Sequence, residues 1–334
     1  MRILRYDISG EPRTARRLGV MLDGDIIGDL RAGYGRHLAD GGDPHGRQIA
    51  ALRIPATLAA LLSSGPKAMD AARAGHGWLE AHASPEPAAQ GLDGEPLFAP
   101  RKDCTIHSPI HPSKVIAVGR NYRAHTAEMG SKNPMKVPSA WIKANSAVWG
   151  PYRDIVKPAA CHDMDYETEM AFVIGEKCKN VPEDKAYDVI AGYIVTNDVT
   201  ARDINRIERA EGNRLLGKNF DGFCPTGPWL TTADEIADPM KLRLITRVNG
   251  HVRQDANTSD MIWSIPQMVA YVSQMTLEPG DIVLTGSPEG VASGKGDNTG
   301  SFLTPGDVLE SEIEGIGTLR NTIVEDTLAP SWDW

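Results

Sequence analysis

Apolar and polar residues alternate over Arg2 to Tyr6 and Leu18 to Met21, a period of two that belongs to strands. Leu22-Asp23-Gly24-Asp25 then leads into Ile26 to Leu30, and Asp-Gly between two such runs predicts a hairpin. Residues 1–60 therefore read as a small β-rich unit. Over residues 56–82 the period changes, with alanine and leucine at helical spacing. Ser84 to Pro112 carries six prolines and few periodic apolar positions, which predicts a linker. Beyond Lys114 strands dominate: Val115 to Val118 is a short apolar run, Asp165 to Gly175 alternates, and Val189 to Val195 is apolar again. Arg243 to Val248 and His251 to Gln254 flank Asn249-Gly250, a type I′ hairpin signal. Pro279-Gly280 and Pro305-Gly306 each precede a further strand, Asp281 to Thr285 and Asp307 to Ile313. Ser264 caps a helix with Pro266 in its first turn, and Ile265, Met268, Val269 and Val272 line one side of it.

These elements make a mostly β chain with a few helices, an α+β arrangement. Residues 1–100 form a small N-terminal β-rich domain plus the Pro-rich linker, and 101–334 the larger domain. A length of 334 residues with 41% hydrophobic content is enough for both. The net charge of −9 disfavours a nucleic-acid partner, whose phosphates it would repel. No stretch approaches the roughly 18 apolar residues of a membrane span, and Met1 to Asp7 lacks the apolar region of a signal peptide. Cys104, Cys161, Cys178 and Cys224 are scattered without paired spacing, as reduced thiols are. The expectation is a soluble, cytoplasmic protein.

The chemistry concentrates in the larger domain. On the strand Asp165 to Gly175, Glu167 and Glu169 project to one face, while Met170, Phe172 and Ile174 turn to a core. Asp198 follows the run Val189 to Val195, at a strand end where binding groups are commonly placed. A Glu-x-Glu pair on a half-exposed strand is by itself an ordinary solvated face. Three convergent carboxylates, however, repel one another unless a cation lies between them, and all-oxygen ligation selects a hard ion such as Mg²⁺ or Mn²⁺. His125 and Glu128 lie three apart in Asn121-Tyr122-Arg123-Ala124-His125-Thr126-Ala127-Glu128, so one helical turn puts them on one face. That pair is either an exposed helix contact or an imidazole made more basic by a carboxylate. Gly130 to Pro138, rich in Gly, Pro, Ser and Lys, has the composition of a moving lid.

Lys218, between Gly217 and the aromatic Phe220, is suited to steadying an oxyanion, although a lysine in such a loop is usually a solvated surface residue. Gly212 to Asn219 imitates a phosphate-binding loop but lacks the Ser/Thr hydroxyl at its last position and follows a helical segment, so nucleotide binding is rejected. Gly294-x-Gly296 reads as a turn. Arg202 and Asn205 share a helical face just after Asp198 and suit a substrate carboxylate or carbonyl. Ser287, in Thr285-Gly286-Ser287-Pro288, can offer a hydroxyl or backbone N–H. Trp141 and Trp149 are either core residues or pocket walls.

Assembled in order, these motifs resemble the fumarylacetoacetate hydrolase family over roughly Ser113 to Asn321. The resemblance rests on Gly119-Arg120-Asn121-Tyr122-x-x-His125-x-x-Glu128, Asp165-Tyr166-Glu167-x-Glu169 and Asn197-Asp198-Val199-Thr200-Ala201-Arg202-Asp203. It continues through Gly217-Lys218-Asn219-Phe220-Asp221, Gly227-Pro228-Trp229, Val248-Asn249-Gly250 and Leu277-x-Pro279-Gly280-Asp281 with Thr285-Gly286-Ser287-Pro288. It implies a mixed β-roll or sandwich catalytic domain of that type behind a smaller N-terminal β domain, usually in a homodimer. It also implies Mg²⁺ or Mn²⁺ on Glu167, Glu169 and Asp198, water activation by His125 and Glu128, and oxyanion assistance by Lys218. Tyr122, Arg202, Asn205 and Ser287 become the implied substrate contacts. Asn205 stands where many members have glutamine, Ser287 where many have threonine, and Val291-Ala292-Ser293-Gly294 replaces the commoner Gly-Val-Gly.

The expected activity is metal-dependent hydrolysis of a carbon–carbon bond in an acylpyruvate or related β-diketo acid of the fumarylacetoacetate or fumarylpyruvate kind. Decarboxylation of a 2-oxo acid such as oxaloacetate, or isomerisation or hydration of a 2-hydroxydienoate, is the alternative on the same site. A non-catalytic binding scaffold would need neither His125, Glu128 nor Lys218.

Overall fold

The alternating and apolar runs of the chain assemble into one long sheet that passes through both halves of the molecule. The computed structural model describes residues 1–11, 16–83, 89–130, 135–294 and 302–328. The sheet runs in the order Phe98–Pro100, Ile26–Asp29, Arg17–Leu22, Arg2–Ile8, Cys224–Thr232, Ile190–Asn197, Thr168–Ile174, Ile282–Leu284, Val115–Gly119 and Ser139–Lys143. Cys104–His107 adds to Arg2–Ile8, and Val148–Trp149 adds to Cys224–Thr232. The N-terminal strand thus pairs antiparallel with a strand more than two hundred residues away, Arg2 opposite Thr231. A second sheet of five strands runs His251–Asn257, Arg243–Val248, Val308–Ile313, Gly317–Glu325 and Ile155–Lys157.

Alternation along the central strands decides what covers each face. Ala171 and Val173 pack with Val115, Ala117, Ile282 and Leu284 against apolar residues of the N-terminal helices, among them Leu30, Leu61 and Leu79. Met170, Phe172 and Ile174 pack the other way with Ile116, Val118 and Val283 onto Leu244, Ile313 and the helix Ile265–Val272. Thr168–Ile174 is therefore buried along its whole length, not half-exposed. A polar pair can persist there only if it is paired.

The local expectations hold closely where turn chemistry is explicit. Asn249 and Gly250 both take positive φ, 52° and 78°, and join Arg243–Val248 to His251–Asn257 with Val248 opposite His251. Ser264 and Gln267 form a reciprocal capping box at the start of Ile265–Val272, whose buried residues are Ile265, Met268, Val269 and Val272. Leu22 pairs with Ile26 across the Asp23-Gly24-Asp25 turn.

Four expectations differ in the fold. Strand structure in residues 1–60 ends at Asp29, whose carboxylate caps the helix Leu30–Asp40, and a second helix, Gly46–Arg53, follows. The helical stretch 56–82 is two helices, Leu58–Ser63 and Pro66–Ala81, because Gly65 at φ 76° and Pro66 break it. The strand read as Asp165 to Gly175 is interrupted at Tyr166 and Glu167, leaving Met164–Asp165 paired with Thr200–Ala201 and Thr168–Ile174 in the long sheet. The Pro-rich stretch supplies Phe98–Pro100 and Cys104–His107 to that sheet, and its residues 84–88 lie outside the described residues. So do residues 131–134 of the expected lid and Gly296 of the Gly294-x-Gly296 turn. Among the described residues no helix is long and apolar enough to cross a membrane.

Candidate metal centre and acid–base pair

Glu167, Glu169 and Asp198 meet at the ends of two adjacent strands. Thr168–Ile174 and Ile190–Asn197 pair antiparallel, Thr168 opposite Asn197, so the residues just before one strand and just after the other must converge. Asp198 N–H donates to the Glu167 carbonyl at 2.8 Å, and Glu167 N–H donates to Asn197 Oδ1 at 2.9 Å. One carboxylate oxygen from each of the three residues lies within 4.8 Å of the others, and all three are buried.

Cations surround this cluster unevenly. Lys218 Nζ donates to Glu167 Oε2 at 2.7 Å and to Asp198 Oδ2 at 2.6 Å. Lys143, wholly buried, donates to Asp198 Oδ1 at 2.5 Å and to the Lys218 carbonyl. Arg202 bridges Asp165 Oδ2 and Glu167 Oε1, each at 2.6 Å. Burial pushes the Glu167 carboxyl up, but Lys218 and Arg202 outweigh it and hold the group down at about 2. Glu169 goes the other way. Burial, then the charges of Asp198 and Glu167, push it well above the ordinary carboxylate range. Its Oε2 accepts one N–H, from Gly286 at 2.7 Å.

Asp165, Glu167, Glu169 and Asp198 thus face Lys143, Lys218 and Arg202, and among the described residues Glu169 is the carboxylate of the four without a cationic partner. This shortfall of positive charge at an all-oxygen donor set fits a hard divalent ion held by Glu167, Glu169 and Asp198.

The candidate acid–base pair, His125 and Glu128, lies nearby. Helix Arg123–Glu128 places His125 Nδ1 3.3 Å from Glu128 Oε2, with the imidazole buried. Glu128 is itself held by the Gly290 N–H, which reaches both of its carboxylate oxygens at 3.2 Å. A cavity of about 70 Å³ is lined by His125, Glu167, Glu169, Arg202, Asn205, Lys218 and Ser287 among others.

Of the residues expected to contact substrate, Arg202, Asn205 and Ser287 line this cavity. The Arg202 guanidinium is already engaged with Asp165 and Glu167, whereas Asn205 Nδ2 is buried without a hydrogen-bond partner. Tyr122 packs in the core near Glu169, fully buried, with its hydroxyl unpaired. Lys218 lines the cavity, but its ammonium is engaged by two carboxylates. Trp141 forms part of the wall; Trp149 instead packs under Arg153 at 3.6 Å.

Several supports escaped the sequence reading. Asp165 accepts the N–H groups of Tyr166, Ala292 and Ser293 as well as Arg202, and so ties the 290s loop to the centre. Its signal was its parity with Glu167 and Glu169. Glu208 accepts the N–H groups of Leu215, Leu216 and Gly217 and fixes the loop that carries Lys218. Gly217 must be glycine there, since a Cβ would meet Asn205 at 2.8 Å. Gly286 is required twice: its φ is 94°, and a Cβ would meet Asn121 at 2.8 Å.

Gln254 joins the two sheets behind the centre. Its Oε1 accepts from Thr168 N–H and the Thr246 hydroxyl, while its Nε2 donates to Ser287 Oγ and the Pro288 carbonyl. Gln254→Leu leaves these groups unpaired, so we expect a loss of roughly 2–4 kcal/mol in urea denaturation. A higher KM should accompany it as the Ser287 loop loosens. Unchanged stability and KM would remove Gln254 from this role.

The fumarylacetoacetate (FAA) hydrolase C-terminal family profile matches residues 114–324, and this chain belongs to the fumarylacetoacetate hydrolase family. A mitochondrial oxaloacetate tautomerase of Rattus norvegicus is 38% identical over 273 residues, covering 81% of this chain and 80% of its own. Among solved structures, maleylpyruvate hydrolase from Sphingobium sp. SYK-6 in complex with manganese(II) ion and pyruvate is 30% identical, with TM-score 0.68 over 98% of this chain and 100% of its own. The 5-carboxymethyl-2-hydroxymuconate delta-isomerase from Mycobacterium smegmatis is 31% identical, with TM-score 0.67 and the same coverage. Family membership makes the chain an enzyme of a group that includes hydrolases, isomerases and tautomerases.

Proposed function

We propose that this enzyme is a Mg²⁺- or Mn²⁺-dependent hydrolase that cleaves the carbon–carbon bond of an acylpyruvate or related β-diketo acid. The observation that carries the reading is an imidazole backed by Glu128 facing the same small cavity as Glu167 and Glu169 of the acidic triad. A divalent ion held by the triad supplies Lewis-acid stabilisation of negative charge on a 2-oxo acid. His125 takes a proton from water, and Glu128 fixes the ring and stabilises the imidazolium. The hydroxide adds to the carbonyl remote from the 2-oxo acid, and Lys218 supplies positive charge near the resulting oxyanion. The carbon–carbon bond then breaks toward the 2-oxo acid, whose enolate takes back the proton from His125. One water is consumed, and a carboxylic acid and pyruvate or a homologue are released.

Tautomerisation or decarboxylation of oxaloacetate is the second reading, favoured by the identity to the rat tautomerase. A homodimer belongs to the same proposal, and sedimentation tests it. The deciding experiment assays acetylpyruvate, fumarylpyruvate and oxaloacetate with Mg²⁺ or Mn²⁺, identifies products by mass and follows oxaloacetate enol by its ultraviolet absorbance. Acid plus pyruvate with uptake of one oxygen from labelled water is expected. Turnover of oxaloacetate alone would replace hydrolysis by the second reading.

A further inference from the structure

One face of the N-terminal sheet, sharing no residue with the metal centre, gathers positive charge. In Arg2–Ile8 and the strands beside it, residues directly opposite one another lie on the same face. Arg5 is opposite Leu18 of Arg17–Leu22 on one side and His107 of Cys104–His107 on the other. Tyr6 is opposite Arg17, so the next position along brings Arg16 beside Asp7, on the face of Arg5 and His107. Arg31, in the first turn of the helix Leu30–Asp40, lines a cavity of about 370 Å³ together with Arg16, Leu18, Ala32, Ile54 and Pro55. Donors exceed acceptors here. Arg5 Nε and Nη1 and Arg16 Nε are buried and have no hydrogen-bond partner among the described residues. Among those residues no carboxylate lies within ion-pair distance of Arg5, Arg16 or Arg31, because the nearby acids are engaged elsewhere. Asp7 Oδ2 lies 3.1 Å from His107 Nε2, and Asp29 accepts the Ala32 N–H and lies 3.9 Å from Arg17. Asp93 meets Arg47 at 2.5 Å, and Glu95 accepts the Asp93 N–H. Burial lowers the pKa of Arg5, and the charge of Arg16 lowers it further. Unpaired buried donors are costly, and like charges crowded together are stabilised by an anion between them.

We propose that Arg5 and Arg16, with Arg31 on the same cavity wall and His107 across the strand, bind the phosphoryl group of a small phosphate ester. Guanidinium forks match phosphate oxygens, and a tetrahedral group accepts from several directions at once where a planar carboxylate offers two oxygens. The cavity is roomier than a bare phosphate ion needs, and Leu18, Ala32, Ile54 and Pro55 give it an apolar wall for the organic part of the ester. None of these residues lines the catalytic cavity, so the site stands apart from the reaction proposed above.

Calorimetry on the full-length protein with Mg²⁺ present, titrated separately with phenyl phosphate, inorganic phosphate and benzoate, tests this. Phenyl phosphate should bind saturably and about tenfold or more tighter than benzoate, as a dianion held by charge-assisted hydrogen bonds requires. It should also bind more tightly than inorganic phosphate, because its ring adds apolar contact; equal affinity for the free ion would overturn the ester. Arg5→Gln and Arg16→Gln should each weaken phenyl phosphate by about tenfold or more. Arg214→Gln, in the catalytic cavity, should leave that affinity unchanged. Arg16→Gln, at a partly exposed side chain, carries the test if Arg5→Gln does not fold. No saturation by about 10 mM, an affinity untouched in every Arg5 or Arg16 variant that folds, or loss of binding in Arg214→Gln would overturn the assignment. So would benzoate binding as tightly as phenyl phosphate.

Discussion

Adding Mn²⁺ or Mg²⁺ to the metal-free protein should raise its melting temperature by several degrees, and Glu169→Gln should abolish the rise. An ion that binds only the folded state stabilises it by about 2.7 kcal/mol at a hundred times its Kd. A gain of that size moves the midpoint of a large domain by roughly 5–10 °C. Glu169 carries the effect because, among the described residues, it is the buried carboxylate of the cluster that lacks a cationic partner. Its pKa lies above the ordinary glutamate value in the folded protein, so the metal-free fold binds this proton more tightly than the unfolded chain does. The resulting loss of stability grows as pH rises from the ordinary glutamate range up through the raised folded value. Metal-free Glu169→Gln should therefore be at least as stable as the metal-free wild type at neutral pH, while showing no response to the ion. Differential scanning calorimetry with and without a chelator reads both. A wild type indifferent to millimolar Mn²⁺ would mean that the triad is not an ion site.

The second large effect concerns proton transfer. His125→Ala should lower kcat by about 10²- to 10⁴-fold, the range for removal of a general base, with the Mn²⁺-induced thermal shift retained. Glu128→Gln should cost less, because the ring keeps a neighbour but loses the charge that stabilises its protonated form. It also weakens the bifurcated hydrogen bond from the Gly290 N–H, so KM should rise with the fall in kcat. Steady-state kinetics on acetylpyruvate separate the two parameters. Near-normal turnover in His125→Ala would exclude the imidazole as base.

Much of this centre was legible because period and spacing are local properties. His125 and Glu128 share a helical turn, as the spacing implies, and Glu167 and Glu169 converge although Glu167 stands just before the strand that carries Glu169. The residues that escaped act over long separations. Lys143 reaches Asp198 from the edge strand Ser139–Lys143, where Trp141 and Lys143 share a face, yet nothing local pairs that strand with residues near 198. Gln254 reads as an ordinary polar position on a hairpin, and becomes a bridge only because the five-stranded sheet packs on the long one. The early helices were missed for a related reason. Leu30–Asp40 is rich in glycine and charge, and its placement follows from the Asp29 cap and from packing against Pro66–Ala81.

By itself the sequence determined the turns, the capped helix Ile265–Val272, the β-dominated class and the acidic and basic residues from which a centre can be built. Those follow from φ preferences, side-chain period and donor chemistry, which act within a few residues. Tertiary structure alone decided that the strand Thr168–Ile174 is covered on both faces, that Lys218 and Arg202 neutralise Glu167, and that Glu169 has no cation beside it among the described residues. Charge balance in a buried cluster depends on distances and on removal from water, and both are set only when strands far apart in the chain are brought together.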